Sequence, residues 1–300
     1  VGAAVDVQLR EGITRWEWTS EWGTNGAASR AQFLCNATLD PCVDRLEGIT
    51  CIGGHVVDIN LAVEAQIQVS SVPAAIGRLP RLQAFVHAFR SQSDDLPIVR
   101  VDANLTTLAQ LHTFVLCGAS RSLAQRIELP NAAGTDWSSL RALRKVELDN
   151  VELHSSGDTG AGAGGSGAML PAELFGLPWI ESIVVNAVPM TALPPLGALH
   201  NLQALVLTSN GLTSAVPSFA GMARLQAVAL AGNKLTGGAT DMFDNCTALR
   251  TVDVRGNQLS CGLFAFRNCT ALQTVDVAGN RLLKQHPTTL GCCRERGARQ

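Results

Sequence analysis

Nine cysteines are the residues of this chain with the widest chemical repertoire, and they are unevenly placed. Cys35, Cys42 and Cys51 lie near the N-terminus, Cys117 stands alone, and Cys246, Cys261, Cys269, Cys292 and Cys293 crowd the C-terminal part. Thiols can hold a metal, attack as nucleophiles or pair with one another. Metal sites need Cys and His at short, characteristic spacings. The six histidines are scattered, with no H-x-x-x-H and no Cys/His group at such a spacing. A G-x-S-x-G nucleophile elbow is absent. Gly162-Ala-Gly164-Gly-Ser-Gly167 fits G-x-G-x-x-G formally, but it lies in a Gly/Ala/Ser run from Ser155 to Ala168 and is followed by Pro171. A flexible inserted loop explains it better than a phosphate cradle, which needs a helix at that point. Asp253 and Asp276 occupy equivalent positions and could form an acid/base pair only if desolvation tuned them. With Arg250 and Arg255 beside Asp253 they read as neutralised surface charges. No catalytic residue, metal ligand or cofactor site is expected.

A second kind of chemistry is modification. Four N-x-[ST] sequons stand at Asn36, Asn104, Asn245 and Asn268. Together with end-clustered cysteines they favour an oxidising, secretory compartment and N-linked glycans, against a cytosolic chain with reduced thiols. Lys and Arg number 23 against 25 Asp and Glu, a formal charge of -2. That balance argues against nucleic acid or an anionic membrane surface as partner, since both need concentrated basic charge. No apolar run approaches the roughly 18 residues that span a bilayer. The chain starts without a charged n-region and apolar h-region, so a signal peptide, like any membrane anchor, is expected outside it.

The elements that position these residues follow from a repeat. L-x-x-L-x-L recurs from starts at Val56, Leu82, Leu111, Leu143, Ile180, Leu202, Leu225, Leu249 and Leu272. The last four starts are 23, 24 and 23 residues apart, while the first intervals are 26, 29, 32 and 37. Units of that length and pattern are leucine-rich repeats, each giving one strand to a stack. The expected fold is an α/β-type solenoid of about nine repeats. It is a right-handed superhelix with a parallel sheet on its concave face. Residues 1–54 form an N-terminal cap that holds Trp16, Trp18 and Trp22, 55–290 the solenoid with its Gly-rich loop at 155–168, and 291–300 a C-terminal cap or tail. Asn210, Asn233, Asn257 and Asn280 share the ninth position of their repeats and are expected to bond backbone groups of adjacent turns. Cys246 and Cys269 lie three residues before a repeat start, as do Leu79, Leu199 and Met222, and are expected in the core as small apolar residues. Cys261 could pair with Cys292 or with Cys293, and an odd total leaves at least one thiol free or paired outside the chain.

The segment Asp40-Pro-Cys42, Gly48-Ile-Thr-Cys51 and Gly54 to Leu61 resembles the N-terminal cap of plant-type leucine-rich-repeat receptors. The segments Val72-Pro73, Leu170-Pro171, Leu193-Pro194-Pro195 and Val216-Pro217 resemble that class's L-x-G-x-[IL]-P element, which also occurs in surface proteins of trypanosomatid protozoa. The resemblance covers about residues 40–290. It implies a Cys42–Cys51 disulfide, although here the spacing is C-x8-C and the family's tryptophan between the cysteines is missing. Cys35 has no partner in the family pattern. The resemblance also implies an extracellular or cell-surface recognition module without enzymatic activity, the ectodomain of a receptor or a surface antigen. A secreted hydrolase inhibitor and an adhesive or structural coat protein are the alternatives.

The surface for such a partner is the set of x positions on the strands. Gln203, Ala204, Val206, Gln226, Ala227 and Ala229 make a flat, mildly apolar strip. Arg250, Asp253, Arg255 and Asp276 add a mixed-charge patch on one side, and Arg144, Glu147, Asp149 and Asn186 add polar groups towards the N-terminus. Alternating polar groups on rigid strands suit a protein or peptide ligand, although each charge taken singly also serves solubility.

Overall fold

The structure is a computed structural model and describes residues 42, 48–60, 71–72, 74–88, 99–118, 125–130, 136–154, 172–193, 196–237, 241–259 and 266–281. Trp16, Trp18, Trp22, Cys35, Asn36, the Gly-rich run 155–168, Cys261, Cys292, Cys293 and the C-terminal cap at 291–300 lie outside the described residues. The chain divides into two compact units, Val1–Trp179 and Ile180–Gln300.

The strands of the first unit are β1 (Ile49–Ile52), β2 (His55–Asn60), β3 (Ser71–Val72), β4 (Ala84–Ala88), β5 (Val99–Val101), β6 (Thr113–Cys117), β7 (Gln125–Glu128), β8 (Lys145–Asp149) and β9 (Val151–His154). Gly53 and Gly54, with φ of 62° and 81°, supply the left-handed turn that folds β1 back antiparallel on β2. A disulfide joins Cys42 to Cys51 and ties this hairpin to the preceding chain. Gly48 also has positive φ, and a Cβ there would collide with the Asn60 carbonyl. Beyond the hairpin all pairing is parallel, in the order β2–β4–β6–β8. A second parallel sheet, β3–β5–β7–β9, forms in the stretches that lead away from those strands. Short 3-10 helices at Ala74–Arg78, Ala103–Thr107, Trp137–Ser139 and Ala172–Gly176 complete the turns. Asp102 and Asp136 start two of them, each carboxylate accepting a backbone N–H two residues on, at 2.8 and 2.9 Å.

The second unit contains β10 (Ser182–Asn186), β11 (Ala204–Val206), β12 (Ala227–Ala229), β13 (Thr236–Gly237), β14 (Thr251–Asp253), β15 (Gln258–Leu259) and β16 (Thr274–Asp276). Its main sheet runs β10–β11–β12–β14–β16, all parallel, and β13 pairs with β15. Each of the nine repeat starts falls within or just before a strand of these parallel sheets. The fold is therefore a parallel-sheet solenoid, as the period requires.

Alternation along each strand buries one set of side chains. In the first unit the inward row is Ile59, Phe85, Phe114 and Val146, and in the second Ile183, Leu205, Val228 and Val252, all buried. Burying one such side chain is worth roughly 1.5–3 kcal/mol, so a repeated column supplies most of the drive to stack. Rings add to it where the sequence repeats them. Phe219, Phe243 and Phe266 stack with centroids 5.4 and 5.3 Å apart and planes within 9°. Cys246 follows its Phe by three residues, is fully buried, and donates its S–H to the Phe219 carbonyl at 3.1 Å. Cys269 is half-buried and does the same to Phe243 O at 2.9 Å. Burial pushes the Cys246 thiol up to about 11, with a further push from Cys269, and raises Cys269 as well. Thiols so raised stay protonated and unreactive, which is packing behaviour.

The ninth-position asparagines form a ladder in the second unit. Asn233 Oδ1 accepts the N–H groups of Asn210 and Leu212 at 2.9 and 3.2 Å, while its Nδ2 donates to Leu207 O and Leu230 O at 2.7 and 2.9 Å. Asn257 accepts from Leu235 N and donates to Leu230 O, and Asn280 accepts from Leu259 N and donates to Val254 O. Asn210 closes the series with Val188 N and Val185 O. Each side chain thus spans from its own turn to the previous one. Buried backbone groups that face no strand obtain partners this way.

Candidate functional site

The residues left facing outward on the parallel sheets form the candidate site, and the register fixes their neighbours. In the first unit one row runs Asp58, Ala84, Thr113, Lys145 and the next Asn60, Val86, Val115, Glu147, with Val115 itself buried and Cys117 beside Asp149. The Lys145 ammonium meets Glu147 Oε2 at 2.7 Å. Burial raises the Asp58 carboxyl above its ordinary range, an effect His112 opposes, and Asp58 Oδ1 is shut from solvent without a hydrogen-bond donor. Burial, reinforced by Glu147 and Asp149 and opposed by Lys145, pushes the Cys117 thiol up to about 11. A nucleophilic cysteine needs the opposite surroundings, a low pKa beside positive charge.

In the second unit the rows are Ser182, Ala204, Ala227, Thr251, Thr274 and Val184, Val206, Ala229, Asp253, Asp276. Short side chains make the middle of this face shallow. At one end Arg255 reaches both stacked aspartates, Asp253 at 3.4 Å and Asp276 at 3.6 Å. The aspartates are oriented by their own backbone, Asp253 Oδ1 accepting Arg255 N–H and Asp276 Oδ1 accepting Ala278 N–H. The Arg255 side chain is 60% exposed, so these pairs hold geometry more than they stabilise. At the other end Thr208 Oγ1 bonds Asn186 Oδ1 at 2.5 Å. Along the edge Gln203 Nε2 donates to Glu181 Oε2 at 3.0 Å, and Gln226 Nε2 to Gln203 Oε1 at 3.3 Å.

The sequence-derived candidates fall into three groups. Asp253, Arg255 and Asp276 come together, Glu147 and Asp149 lie on the first unit's face, and Asn186 on the second's. Arg144 turns aside, its Nη1 donating to the carbonyls of Arg141 and Leu143, at 2.9 and 3.1 Å. Arg250 is exposed and follows Gln226 in register. Gln203 and Gln226, placed on the face from sequence, bond in a ladder with Glu181; all three share the second position of their repeats, but the bonds were not read from the sequence. Asn104 is exposed on a 3-10 helix, and its sequon threonine, Thr106, is buried with its hydroxyl on Ala103 O. Asn245 and Asn268 are exposed, hold φ of 62° and 63°, and join through Asn268 Nδ2 to Asn245 Oδ1 at 2.7 Å. Among the described residues no group of three or more His, Cys, Asp or Glu could hold a metal, and no helix is long and apolar enough to cross a membrane.

Residues 200–259, the most regular stretch of the second unit, match the family described as leucine rich repeat. That stretch therefore carries leucine-rich repeats. Solved structures agree on the fold. A leucine-rich-repeat protein of Leptospira interrogans is 21% identical with a TM-score of 0.52, over 74% of this chain and 51% of its own. A complex named PEPR1–AtPEP1 gives 0.60 at 21% identity, over 97% and 36% of the two chains. A plant ice-binding protein gives 0.54 at 16%, over 96% and 88%. This leucine-rich-repeat chain thus spans about half the length of the Leptospira protein it matches. A search of curated protein sequences found no match.

Proposed function

We propose that this leucine-rich-repeat chain is an extracellular, non-catalytic recognition module that binds a protein or peptide through the outward face of its parallel sheets, as the ectodomain of a cell-surface receptor or a surface antigen. The observation that carries the reading is the face of the second unit. A strip of Ala204, Val206, Ala227 and Ala229 is bounded by Arg255 with Asp253 and Asp276 at one end and by Asn186 with Thr208 at the other. Shallow apolar ground with fixed polar groups at its margins suits an extended chain, which offers apolar side chains and backbone donors together. It does not suit catalysis, because the open face supplies no desolvated acid, base or nucleophile.

The compartment belongs to the same proposal. The Cys42–Cys51 disulfide and the exposed sequon asparagines Asn104, Asn245 and Asn268 support a secretory route with N-linked glycans. A hydrolase inhibitor would use the same face, and an assay against cell-wall glycosidases separates the two readings. Mass spectrometry of secreted chain is expected to find sugar at one or more of these sequons, and wholly bare asparagines would remove that support.

The test of binding is a selection of peptides from a random display library on the full chain. Peptides selected on the native chain are expected to lose at least about tenfold in affinity when Ala227→Arg fills the strip. Selected peptides that bind Ala227→Arg and charge-reversed Arg255→Glu as well as the parent chain would move the site off this face.

A further inference from the structure

Among the four ladder asparagines, Asn210 alone is followed by glycine, the others preceding Lys234, Gln258 and Arg281. An Asn–Gly pair is the dipeptide most open to intramolecular attack, because glycine leaves the following backbone nitrogen unhindered. In that reaction the Gly211 nitrogen bonds to Asn210 Cγ, the Cγ–NH2 bond breaks, and the amide leaves as ammonia after taking the displaced proton. Water then opens the five-membered imide to aspartate or to its isomer with the backbone routed through the side chain. No oxidant or cofactor is needed.

We propose that Asn210–Gly211 is a self-modification site that the native fold masks and unfolding exposes. The masking rests on geometry. Asn210 is 2% exposed. Its Nδ2 donates to Val185 O at 2.8 Å and its Oδ1 accepts Val188 N–H at 2.9 Å, so the side-chain amide is held towards the neighbouring turn. Its backbone is fixed as well, the N–H on Asn233 Oδ1 at 2.9 Å and the carbonyl accepting Met190 N–H at 2.8 Å. Ring closure requires the side chain to swing from the core onto Gly211, which breaks both amide bonds. Gly211 itself holds φ of 79°, where a side chain is strained, so the turn that completes this repeat also creates the hazard.

The consequence is one-way. An aspartate at this place cannot donate to Val185 O, and its charge would sit buried opposite that carbonyl. The isomer adds a backbone atom between β11 and the following turn and shifts the ladder register. Each excursion to the unfolded state therefore carries a chance that the second unit does not return.

Peptide mapping of the full chain, native and urea-unfolded at the same mildly alkaline pH, tests this. Conversion of Asn210 is expected at least about 100-fold more slowly in the native chain, since opening precedes reaction. Asn25–Gly26, the same dipeptide elsewhere in the sequence, gives the reference rate in urea. Native conversion within about threefold of the unfolded rate would overturn the masking. Gly211→Asn keeps a residue that tolerates left-handed backbone while crowding the attacking nitrogen. Its refolding yield is expected to hold during storage in urea while the parent's falls in step with Asn210 conversion. Equal decline in both chains would overturn the consequence.

Discussion

In the second unit the side chains of Asn210, Asn233, Asn257 and Asn280 partner the backbone that leaves each strand. In the first unit the stretches beyond the main strands pair backbone to backbone along four strands, β3, β5, β7 and β9, of which β9 puts Val151 at the ninth position of its repeat. Among the described residues of the second unit only the short β13 and β15 pair this way. The burden is the same, buried polar groups that need partners, yet the two solutions differ in tolerance. A sheet accepts loops of varying length between its strands, and the first unit's repeat intervals vary from 26 to 37 residues. An asparagine ladder demands that each side chain meet the turn before it, and there the spacing holds at 23 or 24. The regular face of the second unit is a by-product of that demand.

The largest way to break the contrast is Asn233→Ala. It strands the buried N–H groups of Asn210 and Leu212 and removes donors to Leu207 O and Leu230 O. The expected loss is about 3 kcal/mol or more, seen in urea denaturation and as faster amide exchange over residues 207–235. Val151→Ala, which leaves backbone pairing intact, is expected to cost no more than an ordinary apolar truncation.

Acid should discriminate the units next. His87 occupies an inward position otherwise held by Leu116 and Leu148, is fully buried, and is lowered by that burial to about 3 from 6.5. The folded chain keeps it neutral while the unfolded chain takes up a proton below its ordinary value. Stability is therefore whole above pH 6.5 and falls as pH drops towards 3, by about 2 kcal/mol near pH 5. His87→Leu should flatten that part of the profile, measured as denaturation midpoint against pH in the first unit.

A smaller effect is expected from Phe243→Leu, the middle ring of the stack, at about 1 kcal/mol and confined to the second unit. The smallest is Arg255→Ala, whose exposed pairs with Asp253 and Asp276 should contribute under about 1 kcal/mol to thermal stability. A large melting shift there would recast the charged patch as structural.

Much of this was legible in the sequence because repetition writes structure at fixed intervals. The nine strand positions, the inward leucines, the asparagine ladder and the core placement of Cys246 follow from equivalence alone. The second sheet of the first unit was not legible. Its strands lie in insertions with no common period, and two-residue or three-residue strands such as β3 and β5 leave too little alternation to read. His87 takes the place that Leu116 and Leu148 hold in the next two repeats, and neither its burial nor its neutrality was read from the sequence. Among the face residues, sequence placed Asp253 and Asp276 side by side because the register is fixed by the repeat. It could not direct long side chains, so Arg255 joins both aspartates while Arg144 bends back to its own turn.

The claim that the second unit's regular face is a recognition surface is tested most directly by local hydrogen exchange with and without a peptide selected on the native chain. Added protection is expected across residues 204–209, 227–232 and 251–255, with no change in the stretches behind the sheet around 236–237 and 258–259. Protection confined to the reverse side, or absent from the strands while binding persists, would contradict the account.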